Sequence, residues 1–222
     1  MRESMRALRE PAHDDVRDGT RRIQPVQADQ PDQPDQPVTP AGRRIVAAAE
    51  ELFYSRGITS VGVDLIAEHS GVTKRTLYNR FGSKDHLVAV YLAGRDQRWR
   101  SLVRAAVDSC DDPVEAVTAP FDALRTWSGT NTRGCAFINA LAELPDPDHP
   151  AYRIAADQKR WLLELFEELA TAAGRPDPAT LAARLLVLHE GALATQPIAL
   201  PPHDMLSVST DLARALVRAD GA

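Results

Sequence analysis

From Thr39 onward, apolar residues recur every three or four positions, and no apolar–polar alternation runs longer than four residues. The first pattern is that of helices with one buried face; strands would need the second. The expected fold class is therefore all-α. The longest unbroken apolar run, residues 87–93, falls far short of the ~18–20 residues a membrane helix requires. Arg2, Arg6, Arg9 and Glu10 interrupt the opening residues, where the apolar part of a secretory signal would lie. These features point to a cytoplasmic protein without membrane contact. Two cysteines, Cys110 and Cys135, are too few for a disulfide framework, and their spacing is not that of metal ligands. No metal or cofactor is expected.

Punctuation divides the chain. Residues 1–40 hold six prolines, no aromatic residue and a Gln-Pro-Asp repeat over 30–37. Such a segment buries too little apolar area to offset its ordering entropy, so 1–38 is expected to be a disordered tail. Thr39 is a good N-cap and Pro40 suits the first position of a helix that stops at Gly57. A second helix is expected from Val63 to His69, ended by Gly71, and a third from Lys74 to Phe81, capped by Thr73. Val72 and Leu77 stand where a hydrophobic staple would fix the entry to that third helix. Ser83 caps a fourth. Five more are expected: Val114 to Ser128, Cys135 to Leu144, Tyr152 to Ala172, Ala179 to Ala194 and Asp204 to Arg218. That makes nine helices, divided into a head at 39–92 and a body at 93–222.

Charge distinguishes the two parts. The whole chain carries −5, which argues against nucleic acid. Residues 41–92, however, carry seven basic against five acidic residues, and Lys74, Arg75, Arg80 and Lys84 fall within a stretch free of acids. A local basic patch can hold a phosphate backbone because salt screens charges beyond ~8–10 Å. A basic helix face that merely meets solvent is the commoner meaning of such a run.

Two short helices joined at Gly71 have the form of a helix-turn-helix. With Leu77 facing the core at 100° per residue, Phe81 also points inward, while Arg75 and Asn79 lie opposite with Thr76 and Tyr78 beside them. Arginine suits guanine O6/N7 and asparagine adenine N6/N7 in the major groove. Lys74 and Arg80 lie near the core boundary, where long stems reach toward phosphates.

The run from Gly57-Ile58 through Val63-Asp64-Leu65-Ile66-Ala67-Glu68-His69-Ser70-Gly71-Val72-Thr73-Lys74-Arg75-Thr76-Leu77-Tyr78-Asn79-Arg80-Phe81-Gly82-Ser83-Lys84-Asp85 closely resembles the DNA-binding domain of the TetR family of bacterial transcriptional regulators. The resemblance implies a three-helix DNA-binding head, a helical body that binds a small-molecule effector, and a homodimer formed through the last two helices. By position, it makes Arg75, Thr76 and Asn79 base readers, and Thr73, Tyr78 and Lys84 phosphate contacts, with Lys74 beside them. Gly62 departs from the family pattern of Ser or Thr at that cap, and its backbone N–H would replace the hydroxyl toward phosphate. Residues 133–140 and 145–150 look like the sixth helix and following loop of one subgroup. The implied function is a ligand-released repressor on a palindromic operator.

The body is less legible. Phe121, Trp127, Phe137, Trp161, Phe166 and His189 are candidate lining for an effector pocket, with Asn139 and Gln196 as polar anchors. Each also fits ordinary core packing. The 181–188 stretch is apolar nearly all round, which suits a helix buried on two sides. Leu181, Leu185 and Leu188, with Leu206, Ala213, Leu216 and Val217, are thus the expected dimer seam. Cys135 has only Arg133 as a nearby cation in sequence, too little for a reactive thiol. His149 beside Asp146 and Asp148 reads as a solvated turn rather than a metal site.

Two other functions compete. An enzyme would need a motif, and there is no HExxH, phosphate-binding glycine loop or GxSxG turn; Cys135 with His189 is the best available pair. A dimeric adaptor that ignores DNA would have no use for the Arg75/Asn79 face.

Overall fold

Thr39 caps the first described helix, as its chemistry favours. In the computed structural model, which describes residues 39–129, 133–198 and 200–219, its hydroxyl accepts a hydrogen bond from the Gly42 N–H at 3.2 Å. The expected tail at 1–38 lies outside the described residues. The elements are α1 (Pro40–Arg56), α2 (Val63–Ser70), α3 (Lys74–Phe81), α4 (Lys84–Asp108), α5 (Pro113–Ala116), α6 (Ala119–Ser128), α7 (Ala136–Glu143), α8 (Pro150–Ala172), α9 (Pro178–Thr195), a 3-10 turn (Gln196–Ile198) and α10 (Met205–Ala219). The fold is all-α. No helix among the described residues is long and apolar enough to cross a membrane.

Among the described residues ten α-helices stand where nine were expected, because the segment read as one helix over Val114 to Ser128 is two. Pro120 has no N–H to donate and crowds the residue before it, so the chain breaks at Val117 and Thr118 and restarts with Pro120 in the first turn of α6. The helix expected from Tyr152 starts earlier, at Pro150, because His149 caps it: its Nδ1 accepts the Ala151 N–H at 3.1 Å. No sequence rule favours histidine there.

The head closes on local signals. Gly71 adopts φ 65°, the left-handed conformation that lets α2 stop. Its N–H and that of Val72 return to the Glu68 and Ala67 carbonyls. Leu77, Phe81, Ile66, Ile45 and Leu52 then meet in one apolar cluster. That cluster does not end at residue 92. It takes in Leu87, Val88 and Tyr91 of α4, Phe137 and Ala140 of α7, and Ala151 and Ala155 of α8. Head and body therefore share a core, and α4 runs unbroken from one to the other.

Polar ties reinforce the junction. Glu50 of α1 holds Arg98 at 2.6 Å and Arg95 at 3.4 Å, both on α4. Tyr54 of α1 accepts the Arg133 N–H at 2.8 Å and donates to the Gly134 carbonyl at 3.2 Å. Glu143, at the end of α7, accepts from the Thr59 N–H and hydroxyl at 2.8 and 3.0 Å. Gly57 beside it takes φ 92°, and a Cβ there would stand 3.1 Å from that carboxylate. The body packs α8 between α4 and α9, with α10 against α9 and α6.

Candidate DNA interface and body cavity

The third helix has the two faces its spacing predicts. Leu77 and Phe81 are buried at 0% and 2% exposure, whereas Arg75 and Asn79 are exposed. Thr73 caps the helix, accepting the Thr76 N–H at 3.1 Å, and the two hydroxyls lie 2.9 Å apart. That pairing turns Thr76 back toward the cap, leaving it half-buried. Tyr78 is exposed at the flank.

The basic side chains at the margin are differently placed. Lys74 pairs with Asp64 of α2 at 2.9 Å, and hydrogen bonding to that carboxylate raises its pKa. The pair is solvent-exposed, so a phosphate could compete for the ammonium. Lys84 is half-buried, with its ammonium 5.9 Å from the centre of the Phe53 ring. Burial lowers its pKa against the pull of Asp85 and Glu143. Gly62 caps α2 without a side-chain bond, at φ −83°. Nothing lies within 4 Å of where a Cβ would stand.

The body contains a cavity between α4, α6, α7, α8 and α9. Its walls are Arg95, Trp99, Leu124, Trp127, residues 134–137, Gln158, Lys159, His189 and Leu193. The gap measures about 320 Å³ including its open mouth, of which about 20 Å³ is roomy enough for water. Of the eight candidates for pocket lining, Trp127, Phe137 and His189 border this cavity. The other five candidates do not. Phe121 and Phe166 are sealed at 1% and 0% exposure in the cluster with Leu162 and Leu181, because their helix faces point at α9 and not at the gap. Trp161 lies under the Arg100 guanidinium, 4.7 Å from its ring centre. Asn139 is half-buried and donates to the Arg133 carbonyl. Gln196 donates to the Ser128 carbonyl and borders a separate groove with Leu200 and Met205.

The cavity also gathers residues that sequence reasoning passed over. Lys159 donates to Glu190 Oε1 at 2.8 Å and to Cys135 Sγ at 3.3 Å. Burial lowers the lysine's pKa, but attraction to Cys135 and Glu190 outweighs it and the net shift is upward. Burial likewise pushes Glu190 up, yet His189 and Lys159 overcome it and hold the carboxyl at about 2. His189 Nδ1 lies 3.2 Å from Glu190 Oε1, and burial lowers the imidazole's pKa. An ionised carboxylate can only accept, which fixes a proton on Nδ1, and burial favours the neutral ring, whose Nε2 then carries none. Arg95 is 3% exposed, stacked between the Tyr54 and Trp127 rings at 4.6 and 5.0 Å. A signal for part of this existed. Ala155, Gln158, Lys159, Leu162 and Phe166 form one helical stripe, and two polar residues inside an otherwise apolar face mark something other than plain core.

The residues of the expected dimer seam fall into two groups. Leu181, Leu185, Ala213 and Val217 are 0–2% exposed within the protomer's own core, so a partner cannot touch them. Leu188, Leu206 and Leu216 are half-buried. The outer surfaces of the same helices carry Val187, 72% exposed, and Leu212, 48% exposed. Among the described residues no group of His, Cys, Asp and Glu is arranged to hold a metal ion.

The family model described as bacterial regulatory proteins, tetR family, matches residues 45–91. The fold is similar to the crystal structure of SCO4454, a TetR-family transcriptional regulator from Streptomyces coelicolor. The TM-score is 0.78 and the identity 32%, over 82% of this chain and 96% of that one. The sequence is similar to the HTH-type transcriptional regulator YjdC of Escherichia coli, 26% identical over 154 residues, covering 68% of this chain and 80% of YjdC. It also resembles the HTH-type transcriptional repressor KstR2 of Mycolicibacterium smegmatis, 28% identical over 146 residues, covering 62% of this chain and 70% of KstR2. The two-faced third helix, the shared core that joins head to body and these likenesses agree: the chain is a DNA-binding transcriptional regulator and belongs to the TetR family.

Proposed function

We propose that this regulator occupies a palindromic operator as a homodimer and is released when a small molecule enters the body cavity. The observation that carries the reading is α3, which anchors Leu77 and Phe81 and presents Arg75 and Asn79 to solvent. In this reading residues 39–92 form the DNA-binding head and 93–222 the effector-binding and dimerisation body. Arg75, Thr76 and Asn79 read bases in the major groove. Thr73, Lys74, Tyr78 and the Gly62 N–H contact phosphates, and Lys84 joins them by swinging its ammonium off the Phe53 ring.

The dimer forms on the outer faces of α9 and α10. Ala183, Val187, Gly191 and Ala194 make an exposed strip of small apolar residues on α9, opposite its buried side. On α10 the charged residues are confined to the sector of Asp211, Arg214 and Arg218, leaving Val208, Leu212, Ala215 and Ala219 as an apolar face beyond the one its own core uses. Two-fold pairing there places two heads for two half-sites.

Release follows from the walls that cavity and head have in common. Arg95 lines the cavity and pairs with Glu50 of α1, and Gly134 lines it and accepts from Tyr54 of α1. With room for little more than water, the cavity admits a larger molecule only by parting its walls. A ligand that prefers the parted state then shifts the heads; one indifferent to the two states shifts nothing. The enzyme reading is disfavoured by the partners in place: a Cys–His pair needs His189 turned to the thiol, whereas His189 Nδ1 is turned to Glu190 and Cys135 Sγ accepts from Lys159.

An electrophoretic shift with the DNA upstream of the protein's own gene tests the reading. Binding should survive competitor DNA, and Arg75→Ala should weaken it by about 1–3 kcal/mol per half-site while leaving the salt dependence unchanged. Lys74→Ala should instead weaken all sequences alike and lower the salt slope by about one unit. Indifference to Arg75→Ala would remove the helix from the operator.

A further inference from the structure

Three polar groups on the cavity wall lack a hydrogen-bond partner among the described residues, and each belongs to a side chain at most 4% exposed. They are the Trp99 Nε1–H, the Gln158 Oε1 and the His189 Nε2. Burying such a group unsatisfied costs about 1–3 kcal/mol. They come from α4, α8 and α9, helices far apart in sequence, and are of mixed kind. Trp99 can only donate, Gln158 Oε1 can only accept, and His189 Nε2 is a bare lone pair because the ring's proton sits on Nδ1 toward Glu190. The wall around them is aromatic: Trp99 and Trp127 meet edge to face with centroids 5.6 Å apart, and Phe137 lies under Lys159.

We infer that the cavity recognises an uncharged molecule with a hydroxyl group on a small aromatic body, the hydroxyl oxygen accepting from Trp99 and its hydrogen going to Gln158 or His189. This deepens the ligand-release reading and rests on it. A hydroxyl is the smallest group that accepts and donates through one atom, which is what one donor beside two acceptors requires. Charge argues the same way. Lys159 already serves Glu190 and Cys135, and Arg95 already pairs with Glu50, so an added carboxylate would meet two bare acceptors. An added ammonium would meet Lys159. The aromatic body takes the space that opens when Trp99, Trp127 and Phe137 part, stacking on the same rings. An ordered water could also satisfy the three groups, and it is the competitor that the ligand's hydroxyl must displace.

The test is titration of the full-length protein with phenol, toluene and benzoate, followed by calorimetry and by quenching of tryptophan fluorescence. Phenol should bind about tenfold more tightly than either of the others, since a site built to bond a hydroxyl rejects the analogue lacking one. Gln158→Leu and Trp99→Phe should each bring the preference for phenol over toluene close to one, with circular dichroism confirming the fold. Equal binding of phenol and toluene, tightest binding of benzoate, or phenol binding indifferent to both substitutions would overturn the inference. So would failure of every probe to bind, which would leave the site to water alone. Operator retention measured on the same samples separates the two readings. Phenol binding that leaves the operator occupied upholds this site and defeats ligand release. An operator complex formed by protein that binds no probe defeats this site and leaves the DNA reading standing.

Discussion

Replacing Glu190 with glutamine removes one negative charge and little volume from the centre of the body. The wild-type carboxylate accepts from Lys159 at 2.8 Å and His189 at 3.2 Å. Burial alone would raise its pKa, but those partners carry it from 4.5 down to about 2. At about 1.4 kcal/mol per unit, that depression corresponds to about 3 kcal/mol of folding stability at neutral pH. A second route gives a similar figure. Leaving a buried ammonium without its carboxylate costs about 3–5 kcal/mol, and side chains 16% and 22% exposed belong at the low end of that range. Glu190→Gln should therefore lose about 3 kcal/mol, or roughly 6–12 °C in Tm for a chain of this size. The sign with pH is fixed. A carboxyl whose folded pKa is depressed stabilises fully above its unfolded value, and that stability is lost as pH falls from 4.5 toward 2. Because glutamine does not titrate, the gap between wild type and variant should be about 1.4 kcal/mol smaller at about pH 3.5 than at neutrality. His189 acts in the same direction at higher pH: its folded pKa lies below 6.5, so acidification through that value charges the unfolded chain first and weakens the fold. Urea unfolding monitored by tryptophan fluorescence measures all of this. A loss below about 1 kcal/mol at neutral pH, or a gap that stays constant on acidification, would refute the pairing as a stabilising unit. Adding Lys159→Met to the variant should restore most of the loss, since no unpaired charge then remains buried.

The other predictions concern the head, the junction and the dimer. Gly62→Ser should stabilise by about 0.5–1 kcal/mol in the same unfolding assay, because φ −83° suits any residue, the Cβ meets nothing, and the hydroxyl can cap α2; a destabilised variant would refute this. Tyr54→Phe deletes the bonds to Arg133 and Gly134. It should cost about 1–2 kcal/mol of stability and blunt ligand-induced release while unliganded operator affinity holds within about twofold, as read by fluorescence anisotropy. An undiminished ligand response would take Tyr54 out of the coupling. Val187→Glu and Leu212→Glu should leave a folded monomer by sedimentation and weaken operator binding, since both side chains face outward. Unchanged dimers would move the interface elsewhere.

The head was legible because its determinants lie within a few residues of their effects. Thr39, Thr73 and Ser83 each cap the helix that follows them, Gly71 ends the helix before it, and Leu77 with Phe81 sets which way Arg75 must point. In the body, periodicity tells which face of a helix is buried but is silent on what it is buried against. Phe121 and Phe166 have the same apolar spacing as Trp127 and Phe137, yet the first pair packs against α9 and the second borders a gap. Only the crossing of five helices decides between them. The α9 surface shows the same limit in another form. A helix apolar nearly all round promises two buried sides without saying which belongs to the protomer. Leu181 and Leu185 fill the inner side, and the outer one, with Val187 at its centre, is the face on which the proposed dimer would form. Where polar residues interrupt a buried stripe, as Gln158 and Lys159 do on α8, the sequence still marks the place, because burying them is costly unless something meets them. Such interruptions are therefore better guides to an effector site than aromatic residues, which a core accepts for its own sake.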